Sequence, residues 1–308
     1  MMGAGRPRAA RRCIDGVLLL DKPEGLTSNA ALQQAKRIFN AEKAGHTGTL
    51  DPLASGLLPI CFGEATKFAR FLLDADKAYR ARVRFGVTTT TQDAEGDVMH
   101  TRAVTFERPQ IEAALRGFTG AQNQIPPAHS ALKYRGRSHY EYARAGIEVP
   151  RPARAIEVKS LALLEWANPS ATLDIVCSKG TYIRALAADL GDALGCGAHL
   201  AGLRRIAAGG FHIADAVSLD ALAQCAPDDR DAHLRPSDIL LGALPRLDVG
   251  PVAAQRLSDG QSIATPAAAA GPCRVYDPHG RLVGVVQCRD GVCVPDRMAR
   301  TPERGVAQ

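Results

Sequence analysis

Residues 78–86 alternate without a break: Tyr79, Ala81, Val83 and Phe85 share one parity, and Arg80, Arg82 and Arg84 share the other. Side chains of an extended chain point to opposite faces in turn. This stretch can therefore bury its apolar set only as a strand in a sheet with one covered face. The arginine row itself fits a solvated face or an anion-facing one. With 308 residues, 46% of them hydrophobic, the chain can build a large core around such a sheet. Aromatic residues are only 5%, with Trp166 the single tryptophan, so that core is mainly aliphatic. The net charge of +6 is a mild pointer to a polyanionic partner.

Several classes are excluded early. The apolar run Val17–Leu20 stops at Asp21-Lys22-Pro23, far short of the ~18 residues that a membrane span needs. Arg6, Arg8, Arg11 and Arg12 are followed by no long apolar segment, so residues 1–12 read as a disordered basic tail, not a secretory signal. The eight cysteines are scattered without a Cys-x-x-Cys pair; neither a zinc site nor a disulfide framework is expected, and the protein reads as cytoplasmic.

Along the chain, Asp15–Leu20 reads as a buried strand and Thr27 or Ser28 as the cap of a helix reaching Phe39. A loop from Asn40 to Asp51 and a helix from Gly63 to Phe71 follow. After the alternating strand come a helix over 109–117, a strand over 173–178 and a helix from Thr181, its expected cap, to Gly195. The stretch 222–237 reads as a linker, and short strands at 273–276, 282–288 and 292–294 form a small C-terminal β module. Between Lys133 and Arg154 lie six basic residues, two acidic ones and the tyrosines Tyr134, Tyr140 and Tyr142. Ser138-x-x-Glu141 is a capping box inside it. Interleaved tyrosine and arginine favour nucleic acid, since bases stack on phenol rings while guanidinium groups meet phosphates.

Unusual residues are densest in Gly45–Gly56. Its glycines let backbone approach a ligand, and Pro52 biases Asp51 toward an extended conformation. Such an Asp beside His46 fits a general base, a nucleophile, a metal ligand or a plain turn residue. The phosphate-loop pattern is absent. Asp93-Ala-Glu95-Gly-Asp97 fails as a calcium loop because its twelfth position is Val104, although Asp93, Glu95 and Asp97 leave a metal-dependent hydrolase as a remote rival.

Longer matches narrow the choice. GHTGTLDPLASGLLPICFGEATKF at 45–68 resembles the catalytic signature of the bacterial tRNA pseudouridine synthases of the TruB type, which modify uridine 55 in the T-loop. Four companions follow the same order: GVLLLDKPEGLTSN (16–29), KAYRARVRFGVTTTTQDAEGD (77–97), CSKGTYIRALAADLG (177–191) and HLAGLRRIAAGGF (199–211). The resemblance spans nearly all of the first 215 residues.

It implies an α/β (α+β) fold: a mixed, largely antiparallel curved sheet with flanking helices over residues 13–245, then a small PUA-like β domain over 246–308. It implies an RNA-clamping insertion at about 124–154, where His129 departs from the tyrosine common in relatives. The implied catalytic residues are Asp51, at ribose C1′ as nucleophile or as stabiliser of an oxocarbenium ion, with Arg184 as its cationic partner and Tyr79 stacked on the base. By the same resemblance His46 fills the gap left by a flipped base, Leu203 and Tyr182 shape the uracil pocket, and Lys22 supports the active-site loop and faces RNA. No metal or cofactor is implied. The expected partner is the T-arm of tRNA, bound by a monomer that needs no protein partner. A non-catalytic RNA-binding or tRNA-folding protein is the alternative.

Overall fold

The structure is a computed structural model and describes residues 10–265 and 269–300. Elements follow in the order β1 (Gly16–Lys22), α1 (Ser28–Ile38), β2 (Ala44–His46), β3 (Ala54–Phe62), α2 (Ala69–Leu73) and β4 (Lys77–Phe85). Next are β5 (Val87–Thr89), β6 (Val98–Thr101), α3 (Arg108–Gly117), β7 (Gly120–Gln124), β8 (Lys133–Tyr134), β9 (Arg137–Ser138) and α4 (His139–Arg144). The long strands β10 (Arg154–Ala167) and β11 (Ser170–Cys177), helix α5 (Ile183–Ala193) and β12 (Ala198–Ala208) complete the main layer.

Eleven strands make one mixed sheet, with β1-β3-β12-β4-β11-β10-β7 as its spine. The β3–β12 pair is parallel and the other pairs along that spine are antiparallel. Burial explains the sequence of each strand. In β1, Leu18 and Leu20 enter the core beneath α1 while Val17 and Leu19 enter a second core on the other face, so the run is apolar throughout. In β4 only one face is covered: Ala81, Val83 and Phe85 are buried with α3 and α5, and Arg80, Arg82 and Arg84 stay exposed. Arg80 is neutralised there by Asp174 across the sheet at 2.9 Å. The expected alternating strand is therefore present, with a solvated arginine face.

The C-terminal strands Gly271–Tyr276, Leu282–Arg289 and Val292–Met298 lie in a separate five-stranded sheet. Val285 from this module joins Leu240, Leu241 and Phe68 in one core, which seats it on the main layer. Among the described residues, no helix is long and apolar enough to cross a membrane.

Local expectations need correction at several points, among them the loop expected over 40–51, which contains β2. The stretch 222–237 is not a linker: Leu222 is buried under α1, and Leu234–Arg235 pairs with β1. Thr181 does not cap α5; Tyr182 holds the cap position, and the Thr181 hydroxyl donates to the Ser178 carbonyl instead. Cys288 and Cys293 form a disulfide, because the hairpin register sets them directly opposite each other. Residues 1–9 of the basic tail lie outside the described residues, but Arg12 is part of the fold, bridging to Ala41 and pairing with Asp231.

Candidate active site

Asp51 sits on the loop between β2 and β3, and that loop is pinned on both sides of it. The buried Ser28 hydroxyl accepts from the Leu50 amide at 2.7 Å and donates to the Leu50 carbonyl at 3.0 Å. Gly25 donates to the Pro52 carbonyl at 2.8 Å, and Ala54 to the Asp51 carbonyl at 3.0 Å. The side chain of Asp51 remains 44% exposed at the mouth of a cleft. A carboxylate is thus presented to solvent from a backbone with little freedom to move.

Arg184, near the start of α5, reaches it: Nε lies 3.0 Å from Asp51 Oδ2. The same guanidinium is held from behind by Asp93, 3.3 Å from Nη1, and donates to the carbonyls of Thr91 (3.2 Å) and His129 (2.7 Å). Asp93 is itself buried, and its Oδ1 accepts from the Thr91 hydroxyl and the Glu95 amide. Nearly every donor of Arg184 is occupied, so its orientation is fixed by a carboxylate on each side. As the expected cationic partner, Arg184 lowers the Asp51 pKa. In the cleft the net direction is upward: burial is the larger effect, Arg184 opposes it, and Asp93 adds a like charge.

Of the other expected residues, His46, Tyr79, Tyr182 and Leu203 line two cavities that share Asp51 and Arg184. One, of about 300 Å³, is lined by Asp51, Tyr79, Tyr182, Arg184, Leu203 and Arg205, among others. The other, of about 840 Å³, takes His46, Asp51, Asp93 and Arg184 together with Ser130, Tyr140 and Arg144 of the insertion. Burial raises the Tyr79 phenol pKa, with Arg205 opposing. Burial lowers His46, with Arg205 adding to it, and Nδ1 of His46 is buried without a partner. Tyr182 is fixed by Gln124, whose side chain accepts from its amide at 2.8 Å and donates to its carbonyl at 3.1 Å.

Lys22 is not brought into either cavity. It is 0% exposed, and its ammonium donates to the carbonyls of Pro23 (2.9 Å) and Leu26 (2.6 Å). The RNA-facing part of its expected role is corrected by that burial; the scaffold part is compatible with it.

The insertion carries the expected Ser138 capping box on α4. Its tyrosines are covered by its own arginines: Arg144 over Tyr140, Arg137 over Tyr142 and Arg135 over Tyr134. Two residues at the site went unassigned from sequence, Asp93 and Arg205. Asp93 lay in a matched motif but was weighed only as a metal ligand. Arg205 has the parity of Leu203 on a strand, which was the available signal that it points inward.

Comparison with known proteins finds matches over most of the chain. Residues 36–183 match the family described as TruB family pseudouridylate synthase (N terminal domain). Residues 184–242 match the tRNA pseudouridylate synthase B C-terminal domain, and 245–299 match Pseudouridine synthase II TruB, C-terminal. The tRNA pseudouridine synthase B of Burkholderia mallei (strain ATCC 23344) is 54% identical over 303 residues, covering 96% of this chain and 97% of the relative. That of Thiobacillus denitrificans (strain ATCC 25259 / T1) is 53% identical over 294 residues, covering 96% and 99%. Among solved structures, a Cbf5-Nop10-Gar1 complex matches with a TM-score of 0.72 at 27% identity, covering 89% of this chain and 78% of the other. An archaeal box H/ACA Nop10-Cbf5 complex matches with a TM-score of 0.73 at 25% identity, covering 94% and 87%. With matches of this extent, the chain belongs to the TruB family of pseudouridylate synthases.

Proposed function

We propose that this protein is a tRNA pseudouridine(55) synthase, an isomerase that converts uridine 55 in the T-loop to pseudouridine. The observation that carries the reading is Asp51, held on a pinned loop in an open cleft with Arg184 3.0 Å away. The reaction breaks the ribose C1′–N1 bond, turns the uracil and joins C1′ to C5. No oxidation state changes, so the chemistry needs no redox cofactor and no nucleotide. Asp51 acts at C1′, by adding to the sugar or by opposing positive charge there as the base departs. Arg184 orients it, Tyr79 stacks on the base, and Leu203 and Tyr182 shape the pocket.

Taking a stacked base out of the T-loop costs a few kcal/mol. His46, at the cleft wall, fills the vacated position. The insertion at about 124–154 clamps the T-arm, and the module from 246 onward acts as a PUA-like RNA-binding domain. The enzyme works in the cytoplasm as a monomer without a protein partner, and the same RNA-gripping surfaces also aid tRNA folding.

Tritium release from unmodified tRNA carrying [5-³H]uridine tests this, because C5 loses its hydrogen on joining the sugar. Wild type should release tritium, while Asp51→Asn should release none and still bind tRNA. Release by the variant at the wild-type rate would refute the role of Asp51. Binding without release by either protein would leave an RNA-folding protein in place of an isomerase.

A further inference from the structure

Arg205 is the largest fully buried side chain among the described residues, 1% exposed, yet no carboxylate among them pairs with it. Its neighbour Arg204 points to the opposite face and does find one, Asp21, at 2.7 Å. Arg205 donates to two carbonyls, Nε to Leu57 at 2.6 Å and Nη2 to Gly48 at 3.5 Å, and its guanidinium also meets the Tyr79 hydroxyl, whose pKa it lowers against the effect of burial. A buried cation without a counter-charge is costly, and its persistence calls for a reason.

Register supplies the location. Arg205 lies directly opposite Tyr79 across the β12–β4 pair, and it lines the same cavity of about 300 Å³ as Asp51, Tyr79 and Leu203. Gly56 makes the room for the close approach of the Arg205 backbone: a Cβ there would meet its backbone oxygen at 2.4 Å. The cavity thus has a carboxylate on its loop wall and an unpaired guanidinium on its sheet wall. The positive field of Arg205 reaches its neighbours: it adds to the effect of burial in bringing Lys77 and Lys22 down to about 8.

We infer that Arg205 is a further catalytic residue, the cation that stabilises the negative charge of the departing uracil. This rests on the isomerase reading above. When C1′–N1 breaks, its electron pair leaves with N1 and spreads onto the ring oxygens, while C1′ becomes electron-poor and is met by Asp51. A carboxylate for the sugar and a guanidinium for the base match that charge separation before it happens, so little reorganisation is needed at the moment of bond breaking. The counter-charge absent from the resting protein is the one that the reaction generates.

The test uses the full chain in single turnover on T-arm RNA with uridine or 5-fluorouridine at the target position, followed by nucleoside analysis. Fluorine makes the departing base a weaker base, so its loss needs less help. Arg205→Gln should slow the uridine substrate by roughly 10²- to 10³-fold, the scale for one removed anion-stabilising donor. It should slow the 5-fluorouridine substrate by about tenfold less than that. Arg205→Lys, which keeps the charge, should stay within about tenfold of wild type on uridine. Thermal melting and RNA binding are measured in parallel for each variant. Equal losses on the two substrates would mark a merely structural clamp on Leu57 and Gly48 and overturn the inference, as would a Lys variant slowed by more than that limit. If wild type leaves uridine unconverted, the isomerase reading fails first; if it converts uridine, only the inference is at stake.

Discussion

Replacing Asp93 by Asn isolates what the rear carboxylate does for Arg184. Asn keeps an oxygen for the Thr91 hydroxyl and the Glu95 amide, but it loses the charge that faces Arg184 Nη1 at 3.3 Å. A hydrogen bond to a charged group is worth about 1.5–3 kcal/mol. At 1.36 kcal/mol per decade, that is a loss of roughly 10- to 150-fold in the rate of the chemical step. The loss stays within that range because the carbonyls of Thr91 and His129 still hold the guanidinium. The pH profile gives a second, independent readout. Burial and the Asp93 charge both raise the Asp51 pKa, and Arg184 lowers it. Activity that needs ionised Asp51 is lost as pH falls through that raised value. Removing the Asp93 charge therefore moves the acid limb to lower pH even as the plateau drops, whereas Arg184→Gln moves it to higher pH. Single-turnover tritium release across pH, with RNA binding as control, measures both. A plateau within about twofold of wild type would refute the argument that Asp93 positions Arg184.

Two further outcomes concern stability. Gly56→Ala places a Cβ 2.4 Å from the Arg205 carbonyl oxygen at a φ of +103°, where only backbone could yield; we expect a loss of at least about 2 kcal/mol in denaturant unfolding. A loss below about 0.5 kcal/mol would contradict the close β3–β12 approach. Lys22 is pushed down to about 8 by burial, so between that value and its ordinary 10.5 the unfolded chain holds more protons and stability rises with pH. Lys22→Met should flatten that rise in chemical denaturation between pH 8 and pH 10.5, and an unchanged slope would place the ammonium in a wetter setting than the structure gives it.

The alternation of 78–86 was enough to require a sheet with one open face, and the run Val17–Leu20 to require a strand covered on both, because side-chain parity is a local property of extended chain. The cap of α1 and the box on α4 were legible for the same reason: donor and acceptor lie within three residues of each other. One failure was local, the Thr181 hydroxyl turning back to the Ser178 carbonyl instead of capping α5; the others depended on pairing. The stretch 222–237 has the composition of a linker, yet its few apolar residues find α1 and β1 across the fold. Cys288 and Cys293 meet through a hairpin register that their spacing does not display.

The same division runs through the site. Motif order along the chain named Asp51 and Arg184 by resemblance, since a signature survives in sequence whatever its geometry. That Asp93 closes the pair from behind, that Lys22 is sealed away from RNA, and that Arg205 stands opposite Tyr79 without a counter-charge depend on contacts between strands and loops far apart in the chain. Charge in a protein interior is governed by distance and desolvation, and both are set only when the sheet closes. Composition and motif order fix which residues are available for the chemistry. Packing settles which charges face one another in the cleft, because an isolated carboxylate or guanidinium has no fixed partner until the chain folds around it.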